Sequence, residues 1–154
     1  MQNIVAAIDF SAISHDVVEL AANLAETYGA ALSLVHVAAP DPAFVGYEAG
    51  PQSVRNDRAQ ELHREHQDLH RLAEELRARG LRVTPLLVQG PTVDTLLEEA
   101  RRLQADILVM GSHGRGALLS ILLGSVSTGV LRHAPCPVLV VPSHKDTRSP
   151  SPPG

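Results

Sequence analysis

The sequence predicts an α/β fold: a single doubly wound domain with a five-stranded parallel sheet and helices on both faces. Three observations carry this. Apolar runs of strand length alternate with helix-period segments along the chain, as they do where crossover helices join parallel strands. Residues 105–110 (ADILVM) are hydrophobic almost without interruption, as strands covered on both faces are. The length of 154 residues, 44% of them hydrophobic, suits one domain that buries about two-thirds of its unfolded surface.

Each element follows in order. Residues 3–8 (NIVAAI) read as a buried strand. Residues 14–28 carry Val17, Val18, Leu20, Ala21, Leu24, Ala25 and Tyr28 on a 3.6-residue period, and Gly29 stands where a C-cap belongs. Residues 31–38 (ALSLVHVA) form a second strand, followed by a Pro- and Gly-rich irregular stretch over 39–52. Ser53 is the expected cap of a long helix that runs to about Arg79 and stops at Gly80. Residues 81–88 form a third strand, which Pro85 assigns to a sheet edge or a bulge. Pro91 fits the first position of a helix that reaches Leu103. After the fourth strand, a Gly-rich loop leads into a helix from about Gly124 to His133. Residues 137–141 (PVLVV) close the set. The folded domain is expected over 1–142, and 143–154, with three prolines and three serines, as a disordered tail.

Composition excludes several function classes. The only lysine is Lys145, although basic residues number 13. No lysine ammonium is therefore present in residues 1–144 for a P-loop or a Schiff base. A net charge of −4 and 3% aromatics argue against a nucleic-acid binder, which would show a basic stripe with interleaved aromatics. No apolar run approaches the ~18 residues of a membrane span, and no signal peptide is recognisable. One cysteine makes no internal disulfide, and a cytoplasmic location is the expectation.

In doubly wound sheets, ligands bind beyond the carboxyl ends of the strands, where the winding reverses. Asp9-Phe10-Ser11 follows the first strand, and Gly111-Ser112-His113-Gly114-Arg115-Gly116 follows the fourth. These two are the expected neighbours at the switch point. Glycines there permit positive φ and close backbone approach to a ligand. A helix beginning at Gly124-Ser125-Val126-Ser127 offers unpaired N–H groups and a positive dipole end, a seat for phosphate. Ser125 and Ser127 add hydroxyls, and Arg115 is the cation of the loop. A purely structural strand–helix turn is the alternative for the glycines, and a helix-capping carboxylate is the alternative for Asp9.

The spacing Gly111-x2-Gly114-x9-Gly124-Ser125 is similar to the nucleotide-binding signature of the universal stress protein family. Asp9-Phe10-Ser11, Leu34-Val35-His36-Val37, Val88-Gln89-Gly90 and Ala134-Pro135-Cys136-Pro137-Val138-Leu139-Val140-Val141 resemble further hallmarks of that family in the same order. The likeness covers residues 1–142. It implies a Rossmann-like, adenine nucleotide alpha hydrolase-like fold and a site for ATP, with AMP and ADP as related ligands. On that resemblance Asp9, with Ile8 and Ser11 beside it, meets ribose and base. Val37 meets adenine through its backbone, and Met110 and Gly111 lie beside the ribose. Gly114, Gly124, Ser125 and Val126 then match phosphate contacts; the loop's own chemistry adds Arg115, the Ser127 hydroxyl and Mg²⁺ held by phosphate oxygens and water. The family also implies a homodimer through the final strand, Val138–Val141, whose edge position would invite a second copy. The function expected is a nucleotide-dependent regulatory module with a protein partner. A slow ATPase or a phosphoryl or adenylyl transferase is the alternative, and a nucleotide-independent interaction protein is the third.

Other candidates carry blander expectations. His63, His66 and His70 share one helix face and could ligate zinc or nickel. Glu61, Arg64, Glu65 and Arg71 beside them read as a solvated surface. Cys136 reads as a small buried residue, and His113 as loop polarity with no sequence neighbour to orient it. Leu118, Leu119, Ile121, Leu122 and Leu123 read as packing for the loop or for a partner subunit.

Overall fold

The computed structural model describes residues 1–38, 52–113 and 124–143. The element order is β1 (Asn3–Ile8), α1 (Ser14–Tyr28), β2 (Ala31–Ala38), α2 (Gln52–Ala78), β3 (Arg82–Gln89), α3 (Thr92–Arg102), β4 (Ile107–Gly111), α4 (Ser125–His133) and β5 (Val138–Val141). All five strands are parallel in the order β3-β2-β1-β4-β5. The winding reverses between β1 and β4, so Asp9 and Gly111 do end neighbouring strands at the switch point.

Strand alternation builds two cores, one on each face. Ile4, Ala6 and Ile8 of β1 and Leu32 and Leu34 of β2 pack with Val17, Ala21 and Ala25 of α1 and Leu69, Ala73 and Leu76 of α2. Val5 of β1, Val35 of β2 and Leu108 and Met110 of β4 pack on the other face with Leu96, Leu97 and Val130 from α3 and α4. Parallel strands thus bury both sets of side chains, which explains their continuous hydrophobicity.

Termini differ from the sequence expectations in instructive ways. Gly29 takes φ 62° and its N–H bonds Ala25 O, as a C-cap glycine should. Pro91 is the N-cap of α3, one residue before the expected first position. α2 already includes Gln52, so it begins before Ser53, the expected cap. β4 starts at Ile107; just before it, Asp106 donates its N–H to Asn3 O, and its carboxylate accepts the N–H groups of Gln2 and Asn3. β3 is an edge strand, as Pro85 required. The outward carbonyl of Val83 on that edge is covered by Arg77 of α2, whose Nε and Nη2 donate to it at 3.0 and 2.7 Å.

Among the described residues, no helix is long and apolar enough to cross a membrane. Cys136 is half-buried instead of enclosed, packed at the margin of the α3–α4 core. The loop leucines 118–123 and the tail from residue 144 lie outside the described residues.

Candidate functional site

Beyond the carboxyl ends of β1, β2 and β4 lies a cavity of about 410 Å³. Ile8, Asp9, Val37, Met110, Gly111, Val126 and Ser127, all named from the sequence, line it. Ser11, Gly124 and Ser125 stand behind or beside that lining, and Gly114 and Arg115 lie outside the described residues. The cavity also takes in His36, Arg58, Glu61, Glu65 and His113, although Glu61 and Glu65 read from sequence as solvated surface and His113 as loop polarity.

Asp9 is oriented by the turn that follows it. Its Oδ1 accepts from Ser11 N at 2.9 Å, Ser11 Oγ at 2.5 Å and Ser14 Oγ at 3.0 Å. Ser11 therefore acts through Asp9, and Ser14, at the first position of α1, completes the clamp. Ile13 and not Asp9 is the N-cap of that helix. Phe10 has φ 59°, a left-handed conformation costly for a bulky residue. Its ring meets the His36 imidazole edge-on, with centroids 4.8 Å apart.

The opposite wall is tied together by Ser112. Its N–H donates to Val141 O at 2.8 Å, and its carbonyl accepts from Gly124 N at 3.0 Å and Ser127 Oγ at 3.1 Å. The ends of β4 and β5 and the start of α4 are thereby joined. Ser127 is buried, and its hydroxyl points at the carbonyls of Gly111 and Ser112. Its hydrogen fastens the loop and is not offered to the cavity. The first N–H groups of α4 carry no side-chain cap, with Gly124 as N-cap in an extended conformation. Such groups and the positive dipole end suit an anion.

The described loop glycines do not supply the positive φ expected of them. Among the described glycines, positive φ occurs at Gly29, Gly80 and Gly90, and not at Gly111 or Gly124. Gly111 is required by crowding: a Cβ there would stand 2.8 Å from Ile13 Cγ2.

Two electrostatic expectations change. Glu65 is buried, with its Oε2 3.2 Å from His36 Nε2, so it does not belong to a solvated face. The signal was present: position 65 continues the stripe of Leu62, Leu69, Ala73 and Leu76 at helical spacing. His113 does have a neighbour that engages it, since Ser112 Oγ lies 2.8 Å from its Nδ1. His66 and His70 place their ring centroids 4.3 Å apart on α2. Among the described residues no group of three or more His, Cys, Asp or Glu is placed to hold a metal ion.

Comparison with known proteins agrees with this architecture. The sequence profile of the Universal stress protein family matches residues 1–142. A universal stress protein of Thermus aquaticus, encoded in the 3′ region of a QAH/OAS sulfhydrylase, is 35% identical over 123 residues; the match covers 76% of this chain and 81% of that protein. The solved structure of hypothetical protein MJ0577 is 26% identical, with a TM-score of 0.76, and the match covers 94% of this chain and 97% of that one. A universal stress protein solved in complex with cAMP is 27% identical, with a TM-score of 0.63, and covers 91% of this chain and 95% of its own. A chain that matches the family profile almost end to end and shares its sheet with solved members has a plain assignment: it belongs to the universal stress protein family.

Proposed function

We propose that this chain binds an adenine nucleotide, ATP before AMP or ADP, and that occupancy makes it a cytoplasmic regulatory module in a stress response, read by a protein partner. The observation that carries this reading is the cavity at the β1–β4 switch point. A clamped Asp9 carboxylate stands on one wall, and the crowded Gly111 and the start of α4 stand on the other. Asp9 suits ribose hydroxyls as an acceptor. The wall formed by Val37, Met110 and Val126 suits an adenine ring and ribose. With Gly114, Arg115, Gly124 and Ser125, the α4 amides would meet the phosphates. The relative solved with cAMP supports an adenine nucleotide as the ligand class.

Mg²⁺ would arrive on the phosphates, its other ligands being water, as this cation usually keeps several. The domain spans residues 1–142, and a homodimer forms through Val138–Val141. Phosphoryl or adenylyl transfer is the second reading, favoured by one observation: His113 lines the cavity with Ser112 against its Nδ1.

Native mass spectrometry of freshly purified protein, with calorimetric titration of ATP, ADP and AMP, tests the proposal. Bound nucleotide that is lost in an Asp9→Ala variant is the expected result. A chain that is empty and takes up none of the three overturns it, and ADP or AMP formed over time favours the second reading. A mass that stays monomeric at every concentration overturns the dimer.

A further inference from the structure

We propose that His36 and Glu65 hold one proton between them, that this buried pair positions the Asp9 turn, and that ligand affinity depends on that proton. His36 Nδ1 lies 2.7 Å from the carbonyl oxygen of Ile8. A carbonyl only accepts, so Nδ1 carries a hydrogen and donates it. The other nitrogen, Nε2, faces Glu65 Oε2 at 3.2 Å. Neither atom has a hydrogen-bond partner among the described residues, although the two lie within ion-pair range of each other.

A neutral imidazole with its hydrogen on Nδ1 would set a lone pair against a carboxylate in a buried place, with side chains only 6% and 11% exposed. That arrangement carries a heavy desolvation and repulsion penalty. One additional proton removes it, on either the imidazole or the carboxyl group. The proton belongs to the pair and not to either residue.

The pair brackets the residue that matters most in the cavity. His36 bonds the carbonyl of Ile8 on one side of Asp9 and packs edge-on against Phe10 on the other. Glu65 ties the same imidazole to α2. Loss of the proton drives α2 away from the imidazole and releases the strained Phe10 turn. Asp9 then loses the geometry that Ser11 and Ser14 hold. Affinity is full while the pair holds the proton and falls once rising pH removes it, by up to about tenfold per pH unit for one linked proton. The other ionisable groups on the same cavity are Asp9 after β1, Arg58 and Glu61 on α2 and His113 after β4, so variants must assign the effect.

The affinity arm rests on the nucleotide reading above; the proton count does not. Glu65→Gln supplies an amide N–H to Nε2 and needs no shared proton. Its ATP affinity, measured by calorimetry between about pH 5 and 9, should match the parent at the acidic end and stay flat where the parent declines. His113→Gln should keep the parental slope. Nitrogen-15 NMR of the ligand-free parent should show His36 protonated at Nδ1, and a change at that imidazole on raising pH that Glu65→Gln lacks. A parent that binds ATP with the same pH profile as Glu65→Gln overturns the coupling. A His36 ring protonated at Nε2 alone overturns the shared proton, whether or not the chain binds a nucleotide.

Discussion

Ile13 occupies the space that a side chain on residue 111 would need: its Cγ2 lies 2.8 Å from where a Cβ on Gly111 would stand. Ile13 is itself buried in the α1 side of the core and stiff at χ1, so it yields poorly. Gly111→Ala should therefore destabilise the fold by about 1–3 kcal/mol, the usual cost of overpacking, and should distort the cavity wall. Combining it with Ile13→Ala should cost less than the sum of the two single changes in denaturant unfolding. Strict additivity would show that the crowding at Gly111 lies elsewhere.

Gly124 differs in kind. Its φ of −63° and ψ of 162° suit any residue, and a Cβ would meet Ser112 O at 3.5 Å, an ordinary contact. Gly124→Val should keep its melting temperature within a few degrees. Its nucleotide affinity should fall by at least about tenfold, or 1.4 kcal/mol, because the branched side chain would crowd the α4 amides. Equal affinity in calorimetry would remove the phosphate seat from α4.

Asp106 ties the start of the chain to β4. The N–H groups of Gln2 and then Asn3 hold its carboxyl below the usual carboxylate range, with the N-terminal charge adding to the effect. A pKa lowered on folding stabilises above the unfolded value and is lost as pH falls through the folded one. Asp106→Asn should lower the melting temperature by a few degrees at neutral pH. The gap should narrow below about pH 4. A constant gap across an acid titration would contradict the ionic origin.

Cys136 should be a sluggish thiol. Burial first, and the Asp106 carboxylate second, push its pKa up, against a smaller opposing effect from the Leu108 backbone N–H. Alkylation of the native protein by iodoacetamide at neutral pH should run several-fold slower than that of free cysteine and approach it on unfolding. A native rate above that of free cysteine would assign the thiol a chemical role.

Local pattern made much of this fold legible. Residues 3–8 and 31–38 are strands because their runs are apolar on both faces, and Gly29 ends α1 because only its backbone takes φ 62° at little cost. The pairing of Asp9 with Gly111 at the switch point followed from the order of strands and helices. What stayed hidden depends on partners distant in sequence. His36 and Glu65 look ordinary until β2 and α2 bring them together. The reason for Gly111 is a methyl group on Ile13, which no spacing rule records. Ser127 reads as a donor toward a ligand until the carbonyls of Gly111 and Ser112 are seen to hold its hydrogen.

Pro85 has a consequence at the scale of assembly. A parallel sheet of five strands offers two rims, and the β3 rim is blunted twice, by a residue with no N–H and by the Arg77 guanidinium on Val83. Any association that lengthens the sheet is left with the β5 rim. Two copies meeting there would use it up, so growth of this kind would stop at a pair.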